Sequence, residues 1–174
     1  MEKVILITPK RHRDKRGFFC ETYNKATFLE LGIDTDFVQD NHSKSIEKGT
    51  LRGMHYQVPP YAQSKLVSCI RGSIFDVVLD IRRHSSNYGR AEAYELTAEN
   101  GLQLYVPVGF AHGFVTLEPD TEVVYKTSNF YAPEHEGSLH WNSMGIEWPV
   151  FGDPIISVKD AAAPNFSEFT SPFK

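Results

Sequence analysis

SIFDVVLDIR, residues 73–82, is the stretch on which the reading of the fold turns. Successive side chains along a strand point to opposite faces. Phe75, Val77, Leu79 and Ile81 therefore share one face, and Ile74, Asp76, Val78, Asp80 and Arg82 share the other. The first row is wholly apolar and reads as core. The second sets carboxylates among apolar residues, which fits two placements: the polar interior of a small barrel that holds a ligand, or the solvated outer face of an antiparallel sheet. Alternation alone does not choose between them.

Comparable segments recur along the chain: KVILIT (3–8), TDFVQDN (35–41), SKLVSCI (64–70), AEAYELT (91–97), LQLYVP (102–107), GFVTL (113–117) and TEVVYKTS (121–128). They are short, rich in β-branched and aromatic residues, and separated by Gly, Pro, Asn or Asp. That punctuation predicts an all-β sandwich or barrel. One short helix is predicted over NKATFLELG, residues 24–32, with Asn24 as its cap, Phe28 and Leu31 on one face and Gly32 as its stop. Four of the ten prolines follow Trp148, and periodicity fades there, so this C-terminal segment is expected to wrap the barrel.

The chain has 174 residues, enough for one domain with a real core, and residues 1–174 are read as a single domain. With 41% hydrophobic and 23% charged residues, neither a disordered nor a membrane-embedded chain is indicated. A net charge of -4 and no basic run argue against a duplex nucleic-acid binder. Cys20 and Cys69 lack CxxC spacing, which suits free thiols in a reducing compartment. The N-terminal order, apolar then basic, is the reverse of a secretory signal, and no run nears the roughly 18 apolar residues of a membrane span. A cytoplasmic location is the expectation.

Candidate chemistry starts in GTLRGMHYQVPPYAQSKLV, residues 49–67, where Arg52, His55 and Lys65 interrupt strand-like runs. A charge facing a core is expensive unless paired or used, so three together suggest a site. Seven histidines raise the question of a metal. A mononuclear centre wants an H-x-H pair or its equivalent plus a further ligand, but Gln57 stands where the second histidine would be, and His42, His84, His135 and His140 read as surface residues. No metal is expected. PVGFAHGF, residues 107–114, contains a P-x-G-x-x-H turn that by itself is a weak signal.

DKRGFFCETYN, FVQDNHSKSIEKGTLRGMHYQ, SKLVSCIRGSIFDVVLDIRRHS, PVGFAHGF, VVYKTSNFY, IEWP and SVKD occur in this order between about residues 10 and 164. Together they closely resemble the nucleotide-sugar 3,5-epimerase family. The resemblance implies a cupin-type double-stranded β-helix (jelly-roll) barrel with a short helix and a C-terminal wrap, working as a homodimer without cofactor or metal. It implies a nucleoside-diphosphate 4-keto-6-deoxy sugar as substrate, by default the dTDP-linked glucose derivative converted to the rhamnose one, inverted at the carbons flanking the ketone.

The resemblance also implies roles. His55 of RGMHYQ matches the base and Asp160 of SVKD its orienting carboxylate, although Asp160 read without the resemblance is more readily a helix cap before AAAP. Lys65 would stabilise the enolate oxygen, with Asp76 holding its ammonium, unless the two form a purely structural ion pair. Tyr125 of VVYKTS matches the acid on the far face, Tyr131 a second pocket tyrosine and His112 a hydrogen-bond donor to the sugar; aromatics on strands are otherwise usually core. Gln57 is expected at the substrate, Arg52 would grip the pyrophosphate, and Arg16 would assist from a partner subunit. Phe19, Glu21, Gln39 and Asn41 match positions around the nucleotide, while DKRGFF also reads as a plain turn and strand.

One departure is visible: HWNSMGIEWP is shorter than the family pattern and lacks its Asp-Pro pair, which bears on the sugar accepted. A monofunctional 3-epimerase would share every residue named, and a GDP-4-keto-heptose 3,5-epimerase and a 3,4-ketoisomerase are further alternatives; a non-catalytic sugar-nucleotide binder is the reading from another class, against which His55, Asp160, Lys65 and Tyr125 are all present.

Overall fold

The computed structural model describes residues 3–150 and 152–174. In chain order its elements are β1 (Ile5–Ile7), β2 (Arg11–Asp14), β3 (Gly17–Cys20), α1 (Lys25–Glu30), β4 (Gln39–Ser45), β5 (Thr50–Gln57), β6 (Lys65–Arg71), β7 (Ser73–Asp80), β8 (Ala91–Thr97), β9 (Gln103–Val106), β10 (Phe110–Thr116), β11 (Thr121–Thr127), β12 (Glu136–Ser138), β13 (Ile155–Ile156) and α2 (Val158–Ala161). Five strands form one antiparallel sheet in the order β1-β9-β6-β11-β4. A second runs β12-β5-β10-β7-β8, with β13 alongside β5, and β2 and β3 pair only with each other. The two large sheets face one another as a cupin-type barrel.

Three apolar clusters hold this together. Between the sheets, Val67, Leu104 and Val123 from one meet Ile74, Val78 and Phe114 from the other. Outside the six-stranded sheet, Val77, Leu79 and Ile81 are covered by Leu139, Trp148 and Phe173 of the C-terminal segment. Each such side chain, fully buried, stabilises by roughly 1.5–3 kcal/mol, which ties down a segment with little regular structure of its own. Hence β7 is buried on both faces. Of the two placements open to the Asp76 row, the interior one is found: Asp76 is 0% and Asp80 1% exposed. Asp80 is satisfied by Arg82 and Ser85.

The third cluster seats α1 on the five-stranded sheet, with Phe28 against Ile7, Leu66 and Tyr105. Asn24 caps it as expected, its Oδ1 accepting from the Ala26 N–H at 2.9 Å. Leu31 departs from expectation. The helix ends at Glu30, so Leu31 is the C-cap residue and remains 45% exposed instead of sharing the face of Phe28.

Strand boundaries moved where apolar content misled. TDFV lies outside the sheet because Phe37 packs edge-on against Tyr23, and the strand is the polar QDNHSKS of β4, which as an edge strand needs no apolar face. The β2–β3 hairpin, read above as a turn and strand, turns at Gly17, whose φ of +132° suits glycine. His135, read above as a surface residue, is half-buried, its ring tilted against that of Tyr61 with centroids 4.6 Å apart. No helix among the described residues is long and apolar enough to cross a membrane.

Where β5 meets β10, His55 stands opposite His112 and Arg52 opposite Phe114. Gly53 and Met54 therefore face the single residue Gly113, and β5 carries a bulge.

Candidate active site

The inter-sheet cluster fills one end of the barrel and leaves the other open. There a cavity of about 510 Å³ receives Arg52, His55 and His112 from the six-stranded sheet, Lys65 and Tyr125 from the five-stranded sheet, and Asp160 from α2. An adjoining lobe of about 290 Å³, lined by Gln39, Asn41 and Gln63, shares His55, Lys65, Tyr125, Tyr131 and Glu136 with it.

His55 Nε2 and Asp160 Oδ1 are 2.6 Å apart. Burial alone would raise the Asp160 carboxyl, but the hydrogen bond and charge of His55, with the Gly53 and Ser157 contacts, outweigh it and hold the group below the usual carboxylate range. An ionised Asp160 accepts, so Nε2 carries the hydrogen and Nδ1 keeps its lone pair. The helix-cap alternative for Asp160 is answered by its neighbour. Ser157 is the N-cap of α2, its hydroxyl accepting from the Asp160 N–H at 3.1 Å, and the Asp160 side chain is left to reach across to β5.

Lys65 opens β6, and its amine is crowded by protein. Burial pushes its pKa down to about 8, against the charges of Asp76 and Glu136. Asp76 does not hold this ammonium. Both its oxygens lie 3.0 Å from His112 Nε2, and among the described residues no carboxylate is within ion-pair distance of Lys65. The pairing follows from register, since β10 and β7 are direct neighbours and Lys65 belongs to the opposite sheet. Burial holds His112 below the ordinary imidazole range despite Asp76. The neutral ring's N–H is committed to Asp76, so His112 is not the donor to the sugar that the sequence suggested.

Tyr125 stands on β11, and burial raises its phenol above the ordinary value while the charge of Arg52 opposes the rise. Tyr131 is 55% exposed at the cavity mouth and donates from its hydroxyl to Glu136 Oε2 at 3.1 Å. Gln39 accepts from the Tyr131 N–H at 3.0 Å and donates to Asn41 Oδ1 at 2.9 Å, so both amides lie in the smaller lobe. Arg52 has no carboxylate partner among the described residues; its guanidinium rests on Ser45 Oγ and the Lys44 carbonyl, both at 3.2 Å.

Four expected residues have other surroundings. Gln57 lines the smaller lobe, but its Nε2 donates to the carbonyls of Tyr61 and Phe130 and its Oε1 accepts from the Ala132 N–H, so the amide holds the 130–132 loop in place. Arg16 is on the β2–β3 hairpin, paired with Asp14 at 2.6 Å. Phe19 and Glu21 line a groove beside β1 and α1, away from the cavity of the same chain. Sequence reasoning missed Glu136 and Lys159, which hydrogen-bond to each other at the cavity. Glu136 sits on a three-residue strand too short to show alternation. Adjacency to Asp160 was the one available signal for Lys159.

No cluster of three metal-ligating side chains occurs among the described residues; the two histidines at the cavity each have one carboxylate. A cupin-type barrel open at one end onto paired imidazoles, an ammonium and a phenol falls in the class of carbohydrate isomerases. The family model described as dTDP-4-dehydrorhamnose 3,5-epimerase matches residues 1–168. The chain belongs to the dTDP-4-dehydrorhamnose 3,5-epimerase family. It is 52% identical over 164 residues to the enzyme of that name from Salmonella typhimurium, covering 92% of this chain and 89% of the relative. A crystal structure of the Bacillus anthracis dTDP-4-dehydrorhamnose 3,5-epimerase with TDP and PPi bound superposes with a TM-score of 0.91 at 45% identity, covering 93% of each chain. The dTDP-6-deoxy-D-glucose-3,5-epimerase of Legionella pneumophila, in complex with dTDP-4-keto-L-rhamnose, gives 0.91 at 42% identity, covering 96% of this chain and 89% of that one.

Proposed function

We propose that residues 1–174 act as one domain that epimerises a dTDP-linked 4-keto-6-deoxy hexose at C3 and C5. The observation that carries this is the origin of the acid and base: His55, oriented by Asp160, enters the cavity from one sheet, and Tyr125 enters from the other. Inversion needs that opposition, because the proton leaves one face of the ring and returns to the other.

A C–H beside a ketone is a weak carbon acid and needs both a base and a stabilised oxygen. His55 Nδ1 takes the proton, and the C–H electron pair moves into the enolate, whose oxygen is met by the Lys65 ammonium. Asp160 stabilises the imidazolium that forms. Tyr125 then gives its phenolic proton to the carbon from the far side, the enolate collapses to the ketone, and solvent restores both groups. The same set serves the second carbon once the ring has turned. Arg52 meets the diphosphate, Gln39 and Asn41 the nucleotide side, and Tyr131 the sugar at the mouth.

Two chains would act together. The β2–β3 hairpin contacts its own barrel mainly through Arg11, which donates to the Ala98 and Glu99 carbonyls. It also exposes Phe18 and Phe19 at 54% and 71%. An isolated two-stranded ribbon is marginal in water; docked on a partner, it would carry Arg16, Phe19 and Glu21 to the partner's cavity. Free thiols at Cys20 and Cys69 suit a cytoplasmic site.

The test is solvent exchange. Incubated in D2O with dTDP-4-keto-6-deoxyglucose, the protein is expected to label C3 and C5 and invert both. His55→Ala should lower exchange by about 10²–10⁴-fold with dTDP affinity nearly unchanged. Absence of label from the wild-type reaction overturns the assignment, and label at C3 alone makes the enzyme a 3-epimerase.

A further inference from the structure

In an unbroken strand, residues three apart point to opposite faces. Arg52 and His55 are three apart, yet both line the cavity. Leu51 and Met54, also three apart, both lie in the outer cluster under Trp148. The reversal happens at the bulge, where Gly53 and Met54 together oppose Gly113 and turn the alternation over between the arginine and the histidine.

The bulge depends on two glycines. A Cβ at Gly53 would lie 2.4 Å from Gly113 Cα and 2.9 Å from the His112 carbonyl oxygen, and the residue has a φ of +128°. A Cβ at Gly113 would lie 2.8 Å from the Arg52 carbonyl oxygen, 2.8 Å from Met54 Sδ and 3.0 Å from Gly53 Cα. The obstacles are mostly backbone atoms, which cannot swing aside as a side chain does. Only two bare backbones approach this closely. The same bulge residue also touches the dyad directly: the Gly53 N–H donates to Asp160 Oδ2 at 3.4 Å, while the other oxygen of Asp160 holds His55.

We infer that Gly53 and Gly113 are positioning residues for this site. Their contact sets Arg52 and His55 on the same wall at a fixed separation, and the Gly53 amide fixes the carboxylate that orients the imidazole. Three groups with separate tasks thus take their places from one irregularity in one strand. The kinetic part of the inference rests on the epimerase reading; the geometric part does not.

The test compares Gly53→Ala and Gly113→Ala, each of which forces the two backbones apart at the bulge, with Gly72→Ala. Gly72 is a crowded positive-φ glycine, where an added Cβ would lie 2.4 Å from Thr121 Oγ1, in the β6–β7 turn away from the cavity. At temperatures where circular dichroism shows folded protein, both bulge variants are expected to lose on the order of a hundred-fold in kcat, with the proton resonance of the His55 ring N–H that faces Asp160 displaced. Gly72→Ala should lose stability and keep both. A folded bulge variant with the wild-type His55 ring N–H resonance overturns the inference, whatever its rate. If neither variant folds, the Gly53 amide decides: its proton resonance is expected to move on Asp160→Asn, because the carboxylate it donates to is gone, and an unmoved resonance overturns the inference. If the wild type exchanges no deuterium at all, the epimerase reading fails separately, and the two NMR measurements still judge the geometry.

Discussion

Lys65 shows what the chemistry demands of a single residue. Its pKa falls from 10.5 to about 8, and at about 1.4 kcal/mol for each pH unit keeping the amine charged in place costs about 3 kcal/mol. Because the folded value lies below the unfolded one, this penalty is complete below about pH 8 and is relieved as pH rises towards 10.5. Lys65→Met is therefore expected to unfold at higher urea concentration than the wild type at pH 7, with the advantage gone near pH 10.5. The same substitution should lower kcat by about 10²–10³-fold. In the wild type, kcat/KM is expected to decline along an alkaline limb centred near pH 8, as the ammonium proposed to meet the enolate is lost. Sequence alone placed Lys65 in the site but misassigned its partner. The Asp76–His112 pairing depends on β10 lying beside β7, a long-range neighbourhood that no local spacing encodes.

At the scale of elements, two helix caps of the same kind differ in consequence. Asn24 caps α1, which packs on the outside of the barrel, whereas Ser157 caps α2, which carries Asp160. Replacing either with Ala should reduce stability by about 1 kcal/mol, measured by urea denaturation. Only Ser157→Ala is expected to slow deuterium exchange as well, because the Asp160 N–H is tethered to that hydroxyl; equal rates in the two variants would mean α2 holds its place without the cap. The α1 cap was legible because Asn24 immediately precedes a helical pattern. A four-residue helix such as α2 has no pattern to read, and motif resemblance located Asp160 instead. β7 was legible as a strand, but the fate of its two faces was not, since the outer one is covered by Trp148 and Phe173, some 70–100 residues further on.

For the molecule as a whole, the outer face of the five-stranded sheet is where the barrel lacks a cover. α1 protects the β1–β9 side, whereas Ile70, 50% exposed, borders a cavity of about 370 Å³ with Leu66, Ser68, Gln103 and Val124. Among the described residues, the Oε1 of Gln103 beside it has no hydrogen-bond partner. For the dimer proposed above, Ile70→Asp is expected to shift the sedimentation profile towards monomer, and dTDP affinity should fall with it if hairpin residues of a second copy complete the cavity. An unchanged profile would separate assembly from this face. None of this was readable in the sequence beyond the resemblance, because exposure is a property of the assembled sheet.

The proposed base, His55, and proton donor, Tyr125, ride on separate sheets, so the gap between them is governed by the apolar plug of Val67, Val78, Leu104 and Phe114 that spaces the sheets apart. Shaving that plug would let a carbanion form on schedule yet be quenched from the side it came from. The outcome would be isotope washout with retained stereochemistry, produced without altering one ionisable group.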